Sequence, residues 1–318
     1  VSREGKIGTS PTDGEGRWHR PILVEEIVAL VSPKDRSIAD LTFGEGGHSD
    51  AFLDAGARRV VATDRDRETL ERYRRAGKYR DDPRLTLVHA PFSRWGEVAG
   101  GEPFDGILVD LGVSTRQLLE KERGFSFSRP GPLDMRMDRS EGPTLAEKLE
   151  SAEAEELEEA LRENADLPQA RSIARALLDA YHRRDARDTV ALAGAVSRFR
   201  GGGKTHPATV IFLALRMWVN DELGETRAGL EAAYHSLRPG GKLAVLTFHS
   251  TEDRFVKRLF AKWAGKCVCD ASPCRCARIA YAEPCFRKPL VPTDAELAAN
   301  PRARSAKLRA VEKRQELP

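Results

Sequence analysis

The segment Asp40-Leu41-Thr42-Phe43-Gly44-Glu45-Gly46-Gly47-His48 sets a glycine-rich turn between a β-rich run and a helical one. Glycines at such a turn let the backbone approach a ligand and leave free N–H groups at a helix N-terminus. Twenty residues beyond Gly44, Asp64 closes the run Val60-Val61-Ala62-Thr63-Asp64, where a carboxylate can accept both hydroxyls of a ribose. That pairing suits a nicotinamide dinucleotide or S-adenosylmethionine. A dinucleotide turn needs a further glycine three positions after Gly46, but Ser49 stands there, and Glu45 would set an anion against a pyrophosphate. The sulfonium and ammonium of S-adenosylmethionine are cations and tolerate an acidic neighbour. The residues therefore favour S-adenosylmethionine over a nucleotide-dependent oxidoreductase.

Two further strand ends belong to the same argument. Val88-His89-Ala90-Pro91-Phe92 offers an aromatic ring on which adenine could stack or which could simply pack in the core. Ile107-Leu108-Val109-Asp110 ends the next β-rich run on a carboxylate. In open α/β sheets the ligand crevice lies beyond the strand C-termini, so Asp64, Phe92 and Asp110 are expected to line one cleft.

Those residues need elements to hold them. Apolar spacing predicts a first helix over 21–31. Short runs at 37–43, 59–63, 85–89 and 105–111 then alternate with helical stretches at 48–55 and 67–76. Strands alternating with helices imply right-handed crossovers, a parallel sheet and a doubly wound α/β domain. The rhythm breaks after Gly112. A Gly- and Pro-bearing loop leads into helical sequence from Thr144 to about Phe199, closed by Gly201, Gly202 and Gly203. Helices to Leu223 and Leu237 follow, Arg238-Pro239-Gly240-Gly241 reads as a turn, and 242–248 reads as a returning strand. The expected organisation is a tail at 1–17, an α/β domain built from 18–119 and 204–318, and an all-helical insert at 120–203.

The chain has 318 residues, 40% apolar and 32% charged, an ordinary globular balance that excludes a disordered or fibrous protein. No apolar run approaches the roughly 20 residues of a membrane span, and the tail has no secretory apolar stretch, so a cytoplasmic location is expected. The net charge of +3 is uninformative, but its distribution is not. Residues 145–163 carry eight glutamates, whereas 171–200 holds Arg171, Arg175, Arg183, Arg184, Arg187, Arg198 and Arg200. A second basic run, Arg302, Arg304, Lys307, Arg309, Lys313 and Arg314, lies near the C-terminus. All five cysteines fall between Cys267 and Cys285. Cys267, Cys269, Cys274 and Cys276 could ligate zinc, yet C-x-C pairs are less typical than C-x2-C, so reduced thiols and no metal are the favoured reading.

Longer motifs carry a resemblance. Asp110-Leu111-Gly112-Val113-Ser114 with Gln117, Glu122-Arg123-Gly124-Phe125-Ser126-Phe127 and Gly131-Pro132-Leu133-Asp134-Met135-Arg136-Met137-Asp138 appear in order. They are followed by His206-Pro207-Ala208-Thr209, Phe248-His249-Ser250 and Asn300-Pro301-Arg302-Ala303-Arg304. Over nearly all of 18–313 the chain resembles the bacterial small-subunit ribosomal RNA cytosine-N4 methyltransferases. The resemblance implies a class I (Rossmann-like) S-adenosylmethionine-dependent methyltransferase sheet with an inserted helical domain. It also implies N4-methylation of a cytidine in the decoding region of 16S rRNA within the small ribosomal subunit, with no obligate protein partner. Carried over, the cofactor residues would be Gly46, Gly47, His48, Asp64, Phe92, Asp110 and Gln117. Attack by the cytosine amine needs acceptors for its protons, and Asp110 and the backbone carbonyls of Leu111 to Val113 are the expected ones. Glu45, where the family usually has glycine, leaves open a ribosome-assembly factor without turnover. Asp134, Arg136, His206, Asn220 and His249 are further polar candidates. Phe125, Phe127 and Arg129 are expected to meet a splayed base, and the two basic runs to meet phosphates.

Overall fold

The computed structural model describes residues 21–199, 207–269, 271, 274–276 and 278–317. The tail at 1–17, His206 and the Gly201–Gly203 boundary lie outside the described residues.

Seven strands form one sheet in the order β3-β2-β1-β4-β5-β7-β6. They are β1 (Ser37–Asp40), β2 (Arg59–Asp64), β3 (Leu85–His89), β4 (Phe104–Asp110), β5 (Leu237–Thr247), β6 (Ala282–Pro284) and β7 (Lys307–Lys313). The first five pair in parallel, whereas β7 runs antiparallel to both β5 and β6, so the all-parallel expectation fails at that edge. β1 sits between β2 and β4, where the direction of winding reverses. A crevice at its C-terminal end follows from that reversal.

The central strands are buried on both faces, which is why they read as continuous apolar runs. Ile107 and Val109 of β4 and Leu243 and Val245 of β5 face a layer containing Trp95, Leu230, Tyr234 and Trp263. Leu108, Ala244 and Leu246 point the other way, onto Ile22, Ile27, Phe52 and Leu308. The expected turn at Arg238-Pro239-Gly240-Gly241 lies inside β5. The ladder jumps from Phe104↔Leu237 to Gly106↔Lys242, and Gly240 takes up the excess chain at φ 78°. The turn is thus a bulge at the strand entrance.

Helices α1 (Val24–Val31), α2 (Gly47–Asp54), α3 (Arg67–Ala76), α4 (Trp95–Val98) and α5 (Thr115–Leu119) belong to the first part of the sheet domain. Helices α6 (Leu145–Ser151), α7 (Ala154–Ala165), α8 (Ala170–His182), α9 (Thr189–Ala195) and α10 (Pro207–Asn220) gather around a separate core that includes Leu149, Leu161, Leu177, Leu192, Phe212 and Leu215. Helix α10 therefore packs with the insert, although it follows it in the chain. Helices α11 (Glu222–Ser236), α12 (Ser250–Trp263) and α13 (Asp294–Ala299) complete the described helices. Caps mark several starts: Thr144 and Glu147 form a reciprocal capping box on α6, and Asp188 accepts the Val190 and Ala191 N–H groups of α9.

Candidate functional site

A cavity of about 590 Å³ opens beyond the C-terminal ends of β1, β2, β4 and β5. Gly44, Glu45, Gly47 and His48 line it from the turn after β1, Asp64 from the end of β2 and Phe92 from the turn after β3. Asp110 through Thr115 and Gln117 close the β4 side, and Phe248, His249 and Glu252 the β5 side. Six of the seven expected cofactor residues therefore line one cavity. The exception is Gly46, whose φ is 83° and where a Cβ would sit 2.5 Å from the Tyr73 ring. Its task is to let the turn close over Phe43 and Tyr73, which pack edge to face with centroids 4.7 Å apart.

Asp64 is held by its own neighbourhood. One carboxylate oxygen accepts the Gly44 N–H at 2.7 Å and the other accepts the Asp66 N–H at 2.7 Å. Burial outweighs those bonds and pushes the carboxyl up to about 6. Each oxygen keeps lone-pair capacity toward the cavity, the requirement for accepting two hydroxyls.

Phe92 does both things that the sequence allowed. Its ring lines the cavity, and it also lies so close to α11 that a Cβ on Gly229 would meet it at 2.0 Å. Gln117 is less a ligand than a brace. Its Oε1 accepts the Ser114 N–H at 2.9 Å, and its Nε2 donates to Asp66 at 2.9 Å.

Asp110 lines the cavity with a carboxylate that is only partly satisfied. Its N–H donates to Thr42 Oγ1 at 2.6 Å, but carboxylate Oδ1 is buried and has no hydrogen-bond partner among the described residues. His48 Nε2 lies 3.7 Å from Asp110 Oδ2, and both nitrogens of that buried ring lack partners as well. Behind them Asp40 accepts from Ser49 Oγ at 2.8 Å; burial raises its carboxyl above the ordinary range. Ser49 thus fills the place of the missing dinucleotide glycine and ties α2 to β1.

Glu45 is not an open anion. It sits 3.2 Å from Arg116 Nε and 3.7 Å from Arg72, a doubly cationic environment that neutralises it. Across the cavity, Arg216 forms a two-point pair with Glu222 at 2.7 and 2.8 Å and lies 3.9 Å from Glu252. His249 Nε2 approaches Glu252 at 2.8 Å. Burial opposes ionisation of Glu252, yet His249, Arg216 and the Phe248 N–H hold its carboxyl below the usual range. The motif residues after β4 are mostly structural. Arg136 chelates Asp134 through Nε at 2.7 Å and Nη2 at 3.1 Å. Asn220 accepts the Met137 N–H at 2.7 Å and donates to Met135 O and Arg216 O.

Two expectations about RNA contact are corrected. Phe125 is buried in the helical core and cannot receive a base, while Phe127 is half-buried and packs edge to face on Phe212 with centroids 4.9 Å apart. In the C-terminal run, Lys307 and Arg309 both pair with Asp253, at 2.9 and 2.7 Å, and Lys313 is buried against the Leu237 carbonyl at 2.7 Å. Arg302 and Arg304 stay exposed, as do Arg129 and, in and after α8, Arg171, Arg175, Arg183, Arg184 and Arg187. The residue that sequence reading quoted without a role is Arg123. It is 1% exposed and pairs with Asp66 beside Gln117. Its place in the Glu122–Phe127 motif was its only signal.

Comparison with known proteins gives a consistent picture. The sequence model described as the MraW methylase family matches residues 17–314. The ribosomal RNA small subunit methyltransferase H of Cereibacter sphaeroides is 44% identical over 304 residues, 93% of this chain and 90% of that protein. The protein of the same name from Anaeromyxobacter dehalogenans is 44% identical over 306 residues, covering 93% and 97%. Among solved structures, an rRNA methylase from Streptococcus thermophilus aligns over 93% of this chain and 98% of its own at 12% identity, with a TM-score of 0.42.

Proposed function

The chain belongs to the MraW methylase family, and from that premise we propose that the β1–β4 crevice is where S-adenosylmethionine and a target cytidine meet. The protein is an S-adenosylmethionine-dependent methyltransferase of small-subunit 16S rRNA that acts on the N4 amine of a cytidine.

The residues fit the cofactor on three counts. Asp64 is a braced two-oxygen acceptor for ribose, and Phe92 is a ring for adenine. Gly44 and Gly47 bring bare backbone to the cavity that His48 and Asp110 also line. Gln117 would act through the wall that it braces. When bound, the cofactor supplies an electrophilic methyl on a sulfonium.

The chain must supply orientation, because the exocyclic amine of cytosine is a weak nucleophile whose lone pair is delocalised into the ring. An acceptor for the amine hydrogens lets nitrogen rehybridise as it attacks. Asp110 is the observation that carries this reading: a carboxylate lining the cavity at the end of β4, one of whose oxygens is buried with no hydrogen-bond partner among the described residues. It holds one amine hydrogen and can receive the proton released once the N–C bond has formed. His48, 3.7 Å away, balances the carboxylate charge when protonated.

Residues 120–203 are then the substrate-binding insert, with the exposed arginines of α8 reaching phosphates of the decoding region in a folded subunit. Among the described residues no helix is long and apolar enough to cross a membrane, and a cytoplasmic site of action accords with such a substrate. The pairing of Glu45 with Arg116 and Arg72 removes the feature that left a non-catalytic assembly factor open.

The test is transfer of radiolabelled methyl from S-adenosylmethionine to small subunits from a strain lacking the homologous enzyme, with mass spectrometry of the labelled nucleoside. N4-methylcytidine made by the native chain and lost in Asp110→Ala is the expected result. Undiminished transfer by the variant would remove Asp110 from the reaction.

A further inference from the structure

Between α12 and β6 the chain runs through a loop with no helix or strand among its described residues. Its ends are clamped: Ala264 bridges Ala280, and the Tyr281 N–H donates to the Trp263 carbonyl at 2.7 Å. Inside the clamp there is no core. None of the described residues from Lys266 to Ile279 is buried, and Ile279 is 46% exposed. Among the described residues, Arg258 of α12 tethers it by donating to the Val268 carbonyl at 2.8 Å. A loop of this length without secondary structure or apolar burial has nothing to offset its conformational entropy.

Four side chains nevertheless converge there. The sulfurs of Cys267, Cys269, Cys274 and Cys276 all lie within 4.8 Å of one another. Cys267 Sγ is 3.2 Å from that of Cys269 and 3.1 Å from that of Cys274, while Cys276 Sγ is 3.9 Å from Cys267 and 3.6 Å from Cys269. These separations exceed the roughly 2.05 Å of a disulfide. They are close to the edges of a tetrahedron of sulfurs about 2.3 Å from a central zinc, which are about 3.8 Å long. Four thiolates around one point also fit a single ion better than an iron–sulfur cluster, which spreads its ligands over several irons. The Cys276 N–H points at Cys274 Sγ at 3.4 Å, the kind of donor that steadies a metal-bound thiolate.

We propose that Cys267, Cys269, Cys274 and Cys276 form a structural zinc site that folds this loop. The C-x-C-x4-C-x-C spacing, set aside in the sequence as untypical, works here because each C-x-C pair places both of its sulfurs at the same point. Binding displaces the thiol protons to solvent and leaves a net negative tetrathiolate, offset by Lys266, Arg275 and Arg278 in the same loop. No open coordination position remains, so the ion holds the backbone and takes no part in methyl transfer. Cys285 lies outside the cluster, partly buried beside β7, with its N–H on the Ala310 carbonyl.

The proposal is tested on the full chain, with readouts independent of methyl transfer. Metal analysis of protein purified under reducing conditions should give stoichiometric zinc. The Cys269→Ser/Cys276→Ser double variant should lose it, and Cys285→Ser should keep it. Cobalt added to the metal-free chain should develop thiolate-to-cobalt charge-transfer absorption and the visible bands of a tetrahedral site. Trypsin should cut at Lys266, Arg275 or Arg278 about tenfold faster after chelation, as the loop loses its constraint. Circular dichroism of the double variant checks that the rest of the fold survives. Three outcomes overturn the proposal: no metal and no thiolate–cobalt spectrum in reduced protein, zinc retained in full by the double variant, or a loop cleaved equally with and without chelator.

Discussion

Arg123, in the turn after α5, is buried against Asp66, which caps the N-terminus of α3. The pair joins the segment following β4 to the segment following β2, and Gln117 donates to the same Asp66 carboxylate at 2.9 Å. Arg123 also donates to the Met137 carbonyl at 3.3 Å, so the motif loop is anchored to the start of α3. Two walls of the cavity are thereby held at one distance by a single buried charge pair.

Breaking that pair should be costly. Removing one partner of a buried ion pair leaves the other uncompensated, typically at about 3–5 kcal/mol. Arg123→Met should therefore lower denaturant stability by that order, whereas Arg123→Met with Asp66→Asn, which keeps an acceptor for the α3 cap and for Gln117, should recover part of the loss. A single variant within about 0.5 kcal/mol of the native chain would contradict this account of the crevice.

Asp64 makes cofactor binding depend on pH. Burial raises its carboxyl to about 6, above its unfolded value. The native state then holds this proton more tightly than the unfolded chain does. Any stability Asp64 contributes is complete at pH below the unfolded value and is lost as pH rises through about 6. Ribose hydroxyls need the ionised form, so affinity should move oppositely, weakening about tenfold from pH 7 to pH 5. Isothermal titration across that range should show the dependence in the native chain and a flat, weaker profile in Asp64→Asn.

Asp110 should separate binding from chemistry. Asp110→Asn keeps the size of the side chain but loses the charge and the basic site. Methyl transfer should fall by about 10²–10⁴, while the Kd for S-adenosylmethionine changes only a few-fold. Equal losses in both would assign Asp110 to cofactor binding alone.

Gly229 backs the Phe92 ring that is proposed to carry the adenine. Phe92→Ala should weaken cofactor binding by about 1–2 kcal/mol, the usual value of an aromatic platform under a base. Gly229→Ala should act in the same direction, because its methyl would meet the Phe92 ring at 2.0 Å and displace it. Fluorescence or calorimetric titration distinguishes both from a global loss of fold.

The arginines of α8 and the basic residues of β7 should behave differently. Arg171→Glu with Arg175→Glu should raise the KM for small subunits and reduce its salt dependence, leaving cofactor affinity unchanged. Arg309→Ala should instead lower stability through Asp253, with which it pairs at 2.7 Å. If the α8 variant left KM unaltered, the phosphate-binding face would have to be sought elsewhere, with Arg129, Arg302 and Arg304 the exposed alternatives.

Much of this architecture is local, and the sequence by itself determined it. Alternation of β-rich and helical runs located β1 through β4 to within a few residues, and the glycine turn, Asp64 and Asp110 stood at strand ends where a parallel sheet must open its crevice. The helical insert declared itself by a long stretch without strand pattern. Other features depend on groups distant in the chain, and only the tertiary structure decided those. Lys307-Leu308-Arg309 is an antiparallel strand because β5 offers it an edge and Asp253 neutralises its charges. Phe125 and Phe127 are core residues because α10 delivers Phe212 and its neighbours to them. Glu45 is harmless because α3 and α5 each bring an arginine to it. The four cysteines are only a spacing until the Ala264–Ala280 clamp forces the loop to double back. Periodicity encodes which face a residue presents; whether that face meets a partner, an opposite charge or an ion depends on contacts that no local pattern contains.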